Sequence, residues 1–286
     1  MNAMKAFLQS PIHSRISRLL SVSCRLACLL IFTTLAAGQA LAFDSDEKRP
    51  AINAGRPTLT DPATLTAPGW LETEFGIQRL LQDNRLLQTP LLLKLTGGNR
   101  RTEYRLQTDG YSRMTDDSGN AVSGIGDTYA ALQYLATSGA SGNWYTAVRG
   151  TVKLPTASAS KGIGSGKADY GALFLASRDL SQSLHLDVNA GLAALGQPAC
   201  TGFYRQIFLS ASTTMPIGRG KWQYTNELAY QAAAAGSDSQ LTMMHGISYS
   251  VQPWDVWDAA INFGLNRGAP KYQVLFGRTF FLGRLF

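Results

Sequence analysis

The chain has 286 residues, of which 45% are hydrophobic and only 16% charged, with a formal net charge of +7. A soluble domain carries about 25% charged residues, so this composition is short of charge, while its hydrophobic content excludes a disordered chain. A polytopic helical membrane protein is excluded too, because no second apolar run reaches the roughly 20 residues of a spanning helix. The 28 glycines and 10% aromatics suit strands joined by tight turns. The length allows one large all-β domain or two small ones.

In chain order, Lys5, Arg15, Arg18 and Arg25 form a basic leader, and an apolar run follows from Leu26 to Ala37. Ala40-Leu41-Ala42 then supplies a small-x-small triplet ahead of Phe43. This is the pattern of a secretory signal peptide over residues 1–42, cleaved after Ala42. An uncleaved membrane anchor is the alternative, for which the apolar run is short. Removing the leader lowers Lys+Arg from 26 to 22 and leaves Asp+Glu at 19, so the charge falls to +3. No basic tract remains, which argues against nucleic acid as a partner. One cysteine remains, Cys200, so no intrachain disulfide can form.

Residues 43–69 are polar and carry Pro50, Pro57, Pro62 and Pro68, which predicts an extended segment without regular structure. From Trp70 the pattern turns regular, with runs of about ten residues separated by Gly/Asn/Asp/Ser clusters. Leu71, Thr73, Phe75 and Ile77 share one face of the run 70–79, opposite Glu72, Glu74 and Gln78. The same alternation recurs over 91–96, 102–109, 126–136, 144–154, 184–192 and 256–266. Less regular strands are predicted near 168–178, 202–215, 221–232, 240–251 and 271–286, making twelve. Alternation alone fits a soluble β-sandwich as well. The strand number, the lengths near ten residues and the export signal favour a single antiparallel transmembrane β-barrel over residues 70–286. Closure leaves no strand edge to meet lipid. Trp70, Trp144, Trp222, Trp254 and Trp257 lie near predicted strand ends, where aromatic girdles belong.

The polar parity of these strands nominates lumen-lining residues: Glu72, Glu74, Lys94, Glu103, Arg105, Asp127, Arg149, Lys153, His185, Asp187 and Asp258. Tyr129 and Tyr145 share that parity and are candidate contacts for an apolar solute. Such charges can line an open channel or pair across a filled one, and both alternatives stand. Catalysis finds little support. The two histidines beyond the leader, His185 and His245, are followed two residues on by Asp187 and Ile247, not by a nucleophile. Neither spacing offers three convergent metal ligands. Gly162 to Lys167 superficially suggests a phosphate loop, but Ala168 stands where Ser or Thr is required. The expectation is a protein with no catalytic residues, no metal and no cofactor.

Several motifs together carry a family resemblance. They are Arg56-Pro57-Thr58-Leu59-Thr60-Asp61-Pro62-Ala63-Thr64, Pro68-Gly69-Trp70-Leu71-Glu72-Thr73-Glu74, Gly124-Ile125-Gly126-Asp127, Lys153-Leu154-Pro155-Thr156, and Gly162-Ile163-Gly164-Ser165-Gly166 before Asp169. Their order over residues 53–286 resembles the outer-membrane family named for the meta-pathway of phenol degradation. The resemblance implies a porin-like barrel in the outer membrane of a Gram-negative bacterium, helping hydrophobic or aromatic compounds across. The terminal Phe286 resembles the assembly signal of such barrels, although Arg284 departs from its pattern. That implies two partners, the barrel assembly machinery and outer-membrane lipid. The functional expectation is passive passage of small hydrophobic or aromatic solutes, the alternative being a structural barrel with a plugged lumen.

Overall fold

The computed structural model describes residues 49–81, 85–116, 118–139, 144–198, 202–218, 220–234 and 236–286. The signal peptide, its cleavage point, residues 43–48 and Cys200 lie outside the described residues. Fifteen strands form one sheet in which every strand pairing is antiparallel, β1 (Trp70–Leu81) closing on β15 (Tyr272–Arg284). Between them come β2 (Arg85–Gln88), β3 (Leu91–Thr96), β4 (Thr102–Thr108), β5 (Tyr111–Thr115), β6 (Ala121–Ile125), β7 (Thr128–Ser138) and β8 (Tyr145–Leu154). The wall continues through β9 (Asp169–Ser181), β10 (Leu184–Gly196), β11 (Phe203–Ile217), β12 (Trp222–Gln231), β13 (Gln240–Gln252) and β14 (Asp255–Gly264). The helical content of the described residues is a single 3-10 turn, Ala159–Lys161.

The fifteen strands make twelve staves. β2 and β3 both pair with β1, β4 and β5 continue one another beside them, and β6 and β7 do the same. The breaks fall at Thr89–Pro90, Asp109–Gly110 and Gly126–Asp127, side by side across three neighbouring staves. Pro90 has no N–H for the ladder, and Gly110 adopts φ +61°, a left-handed conformation that favours glycine. Hydrogen bonds stitch the line together: Gly126 N–H to Gly110 O at 2.8 Å, Asp109 N–H to Asp127 O at 3.1 Å and Thr89 N–H to Tyr111 O at 3.0 Å. The alternation thus locates all twelve staves but misses β2, β5 and β6: the parity shifts by one residue at Gly110 and at Gly126–Asp127, whereas β2 and β3 keep one register against β1 across Thr89–Pro90.

From β8 onward the turns alternate between long and short around the barrel. At the end that carries Trp70 and Arg284, β9–β10 and β13–β14 are joined by only two residues each. At the opposite end the β8–β9 connection spans residues 155–168. Short turns on the side of the termini and longer loops opposite are the outer-membrane pattern.

The polarity is that of a membrane barrel rather than a soluble core. Glu72, Lys94, Glu103, Gln133 and Asn189 are each no more than 1% exposed, whereas Leu132, Val148, Phe174 and Leu192 point outward and are about half exposed. Water would penalise such a surface, and lipid would not. Trp144, Trp222 and Trp257 lie on the outer face as a girdle requires, with Trp222 against Tyr249 at 4.7 Å. Trp70 does not. It turns inward, 5% exposed, and packs on Phe281 at 5.1 Å where the first and last strands meet. His245 also differs from a lumen residue: it faces outward, its Nδ1 2.6 Å from the Tyr224 hydroxyl and its ring edge-on to Phe263. Gel mobility tests the closed barrel. An unheated detergent sample should migrate differently from a boiled one, and a helical circular dichroism spectrum would contradict the fold.

Candidate functional site

The inner wall carries more buried charge than a barrel can leave bare, and residues 49–69 supply the partners. This segment has no strand of its own. It starts beside the β13–β14 turn, where the Ile52 N–H donates to Pro253 O at 3.0 Å and Arg49 lies over the Trp254 ring. It runs into the lumen to Thr60 and returns to Trp70. Extended backbone exposes its N–H groups, which an apolar wall could not satisfy. Here four glutamates accept them. The Asn53 N–H donates to Glu72 at 2.9 Å, Gly55 to Glu74 at 2.8 Å, Thr60 to Glu227 at 2.5 Å and Thr66 to Glu103 at 2.7 Å.

Charge pairs complete the seat. Lys94 Nζ sits 2.6 Å from both Glu72 and Glu74, with all three side chains at most 4% exposed. Asp61, at the turn of the segment, bridges Arg105 at 2.9 Å and Arg149 at 2.6 Å. Asp61 also exchanges two hydrogen bonds with Asn189 through its backbone, at 2.8 and 2.9 Å. Arg56 reaches Asp258 at 3.2 Å. Its guanidinium lies against Gly76 and Gly277, where any Cβ would collide with it. These two glycines are inner-face positions left empty for an arginine, a close-approach role rather than a turn role.

The remaining sequence candidates fall into three other groupings. Asp127 and Lys153 belong to a cluster toward the opposite end of the barrel, Lys153 Nζ being 2.6 Å from Asp169, 3.5 Å from Asp127 and 2.9 Å from Ser165. Asp127 also accepts the Ala157 N–H at 2.9 Å and so ties down the 155–168 connection. Tyr129 donates to Asp109 at 3.3 Å. Tyr145 and Leu173 pack against the buried cluster of Ala63, Ala147 and Leu175, in which Ala63 comes from the inserted segment. His185 sits between Asp179 at 2.6 Å and Asp187 at 3.1 Å. Ser177 donates to the same Asp187 oxygen at 2.5 Å. Serine and histidine therefore bond to a shared carboxylate and not to each other, so no imidazole reaches the hydroxyl. Among the described residues no cluster of His, Cys, Asp or Glu is arranged to hold a metal.

Sequence reasoning missed the segment's own members, Arg56, Thr60, Asp61 and Thr66, and the wall residues Gln133, Asn189 and Glu227 that meet them. Parity was the available signal for Gln133 and Asn189, which alternate with outward apolar neighbours. The segment carries a family motif, Arg56–Thr64, but no hydrophobic periodicity that would place it in the lumen.

Two cavities flank it. On the side of the termini, about 480 Å³ is lined by polar groups including Thr64, Asp187, Ser212, Thr225 and Ser248. On the other side, about 220 Å³ opens above Leu59 and is walled by Leu80, Phe208, Ala229, Thr242, Asn262 and Pro270 among others. Leu59 is 55% exposed although its neighbour Thr60 is 1% exposed, so the segment presents an apolar tip to that cavity.

An inward face of charge, an outward face of lipid-compatible side chains and complete strand closure define an outer-membrane β-barrel. Residues 54–281 match the family described as "Putative MetA-pathway of phenol degradation", and the chain belongs to that family. No curated protein matches the sequence. Among solved structures, an outer membrane channel from Pseudomonas putida F1 is similar in fold, with a TM-score of 0.58 at 10% identity over 77% of this chain and 97% of that one. The CymD monoaromatic hydrocarbon channel aligns with a TM-score of 0.42 at 12% identity, over 74% of this chain and 88% of that one.

Proposed function

We propose that this barrel lies in the outer membrane of a Gram-negative bacterium and conducts small hydrophobic or aromatic solutes passively. The observation that carries the reading is the uncharged cavity of about 220 Å³ above Leu59, where Leu80, Phe208, Ala229 and Pro270 share the lining with the neutral amides of Gln231, Gln240, Asn262 and Gln273, inside a barrel whose other half is densely charged. A solute-sized compartment in which apolar side chains alternate with neutral polar groups suits a small uncharged molecule. Family membership and the channel-like fold support the same conclusion. Residues 1–42 act as the export signal, and β15 with the terminal Phe286 just beyond it engages the assembly machinery.

In this reading Glu72, Glu74, Lys94, Glu103, Arg105, Arg149 and Asp258 line the path and hold the inserted segment across it. Passage then requires residues 49–69 to shift within the lumen. Asp127, Tyr129, Lys153, His185 and Asp187 border the path at its two ends. The same dense anchoring of the segment favours a second reading, a structural barrel whose lumen stays filled.

Uptake into liposomes separates the two. Phenol-sized aromatic solutes should enter faster than sugars of similar size. Equal entry of both would make the protein a general pore, and entry of neither by folded protein would establish the structural barrel. Hydrolysis of lipid by the purified protein would overturn both readings.

A further inference from the structure

The outward face of the barrel is apolar in its middle and turns basic on one sector at the loop end, opposite the termini. Arg79 on β1 is paired with Leu87 of β2, and Leu87 with Arg113 of β5, so the three lie in one row across neighbouring staves. Arg85 is the next outward position on β2. All three arginines are exposed and lie within two residues of a strand end. The alternate residues Gln78, Gln88 and Ser112 bond to one another inside the wall. Neighbouring strands are about 4.8 Å apart, which puts Arg79 about 10 Å from Arg113 with Arg85 beside the line between them. Lys161 adds a fourth positive charge: its Nζ donates at 3.3 Å to the carbonyl of Ser123, the residue paired with Arg113. These arginines lack a counter-charge. Arg56, Arg105, Arg149 and Arg278 each pair with a carboxylate, whereas Arg79, Arg85 and Arg113 have neither an ion pair nor a hydrogen bond among the described residues. Asp116, at the tip of the adjoining hairpin, engages Asn120 with both carboxylate oxygens, at 2.8 and 3.0 Å.

We propose that this sector docks the phosphorylated glycolipid of the outer leaflet, lipopolysaccharide, with its phosphates on Arg79, Arg85 and Arg113. The inference rests on the outer-membrane placement above, which turns the loop end toward the outer leaflet. A guanidinium meets two phosphate oxygens at once through its planar fork. Cations spread over about 10 Å suit a headgroup that carries more than one phosphate. The surface beneath them decides for a lipid over a free anion. Ile77, one outward position nearer the membrane centre than Arg79, pairs with Phe276, and both are about half exposed. Acyl chains lying on these side chains hold the phosphates at the level of the arginines. Tyr111 and Tyr272 face outward on the same sector, as an aromatic girdle at a headgroup boundary does. A free phosphate would gain only the attraction of exposed, salt-screened charges.

Titration of the full-length barrel in an uncharged detergent with fluorescently labelled lipopolysaccharide tests the site. Arg79→Gln, Arg85→Gln and Arg113→Gln should each weaken binding about fivefold, the effect of one cation at an anionic surface, and the triple variant about a hundredfold. Dephosphorylated lipopolysaccharide should bind the unaltered protein as weakly as the intact lipid binds the triple variant. Arg205→Gln removes an exposed cation on β11, in another sector of the wall, and should leave binding unchanged. An equal loss in that variant would make the effect one of net charge and overturn the site. Equal binding of the two glycolipids by the unaltered protein would overturn it too, as would displacement of the lipid by millimolar inorganic phosphate. If the triple variant loses the heat-dependent gel shift, the single variants carry the test. Each of these failures leaves the passage reading standing, because solute uptake runs through the lumen. Fractionation of the barrel with a membrane other than the outer one would overturn both.

Discussion

Lys94→Met is expected to cost the barrel about 3–5 kcal/mol, the effect of removing one partner from a buried charge cluster. Lys94 is 1% exposed and is the cation between Glu72 and Glu74, each 2.6 Å away. Those carboxylates sit on the inner face of β1, beside the seam where the barrel closes on β15. Without the ammonium, two buried anions repel each other on neighbouring inner-face positions. The Lys94 Nζ donation to the Asn53 carbonyl is lost as well, at 2.5 Å one of the contacts that hold the inserted segment. The urea concentration at which the gel-shifted form disappears measures the loss. Adding Glu72→Gln and Glu74→Gln to Lys94→Met should recover much of it, since neutral amides no longer need the cation. If the triple variant is as unstable as Lys94→Met alone, the cost comes from packing and not from charge.

Locking the inserted segment to the wall is expected to stop solute passage. The Thr60 hydroxyl donates to the Ser210 hydroxyl at 2.8 Å, and both side chains are buried. Cysteines at these two positions, with Cys200 replaced by serine, bring two thiols to a separation that a disulfide can close. Oxidised protein should fold and still show the heat-dependent gel shift, because the bond fixes a contact already present. Its uptake of phenol-sized solutes should fall to the level of empty liposomes and return on reduction. Unchanged uptake in the oxidised state would mean that solutes pass around the segment, through the cavities on either side of it. A complementary variant, Asp61→Asn, weakens the ties to Arg105 and Arg149 at 2.9 and 2.6 Å and should raise uptake. A fall in uptake would show that Asp61 serves the path itself.

The two experiments depend on features of unequal legibility. Period-two alternation is a local property, and it located the staves and the inward parity of Glu72, Lys94, Arg149 and Asp258 from neighbouring residues alone. It failed where the chain broke step at Gly110 and Gly126–Asp127, and at Pro90, which interrupts a stave without shifting its register. There the wall is held by hydrogen bonds between neighbouring staves, such as the one from Gly126 to Gly110, and not by a continuous repeat.

Trp70 shows a second limit. An aromatic at a strand end reads as a girdle residue, yet the closing strand placed Phe281 opposite it on the inside. The residue at which a barrel closes on itself is set by how the first and last strands register, which no single strand encodes.

The amino-acid sequence by itself determined the class of protein, since strand length, strand number and alternation are all written within short windows. The tertiary structure alone decided what fills the lumen. Thr60 meets Glu227 across 167 residues, Asp61 meets Asn189 across 128 and Arg56 meets Asp258 across 202. A proline-rich polar stretch looks unstructured by every local criterion, because the groups that order it lie on strands far away in the chain. Only closure of the barrel brings those buried carboxylates and guanidinium groups into one space, where burial makes each of them require a partner.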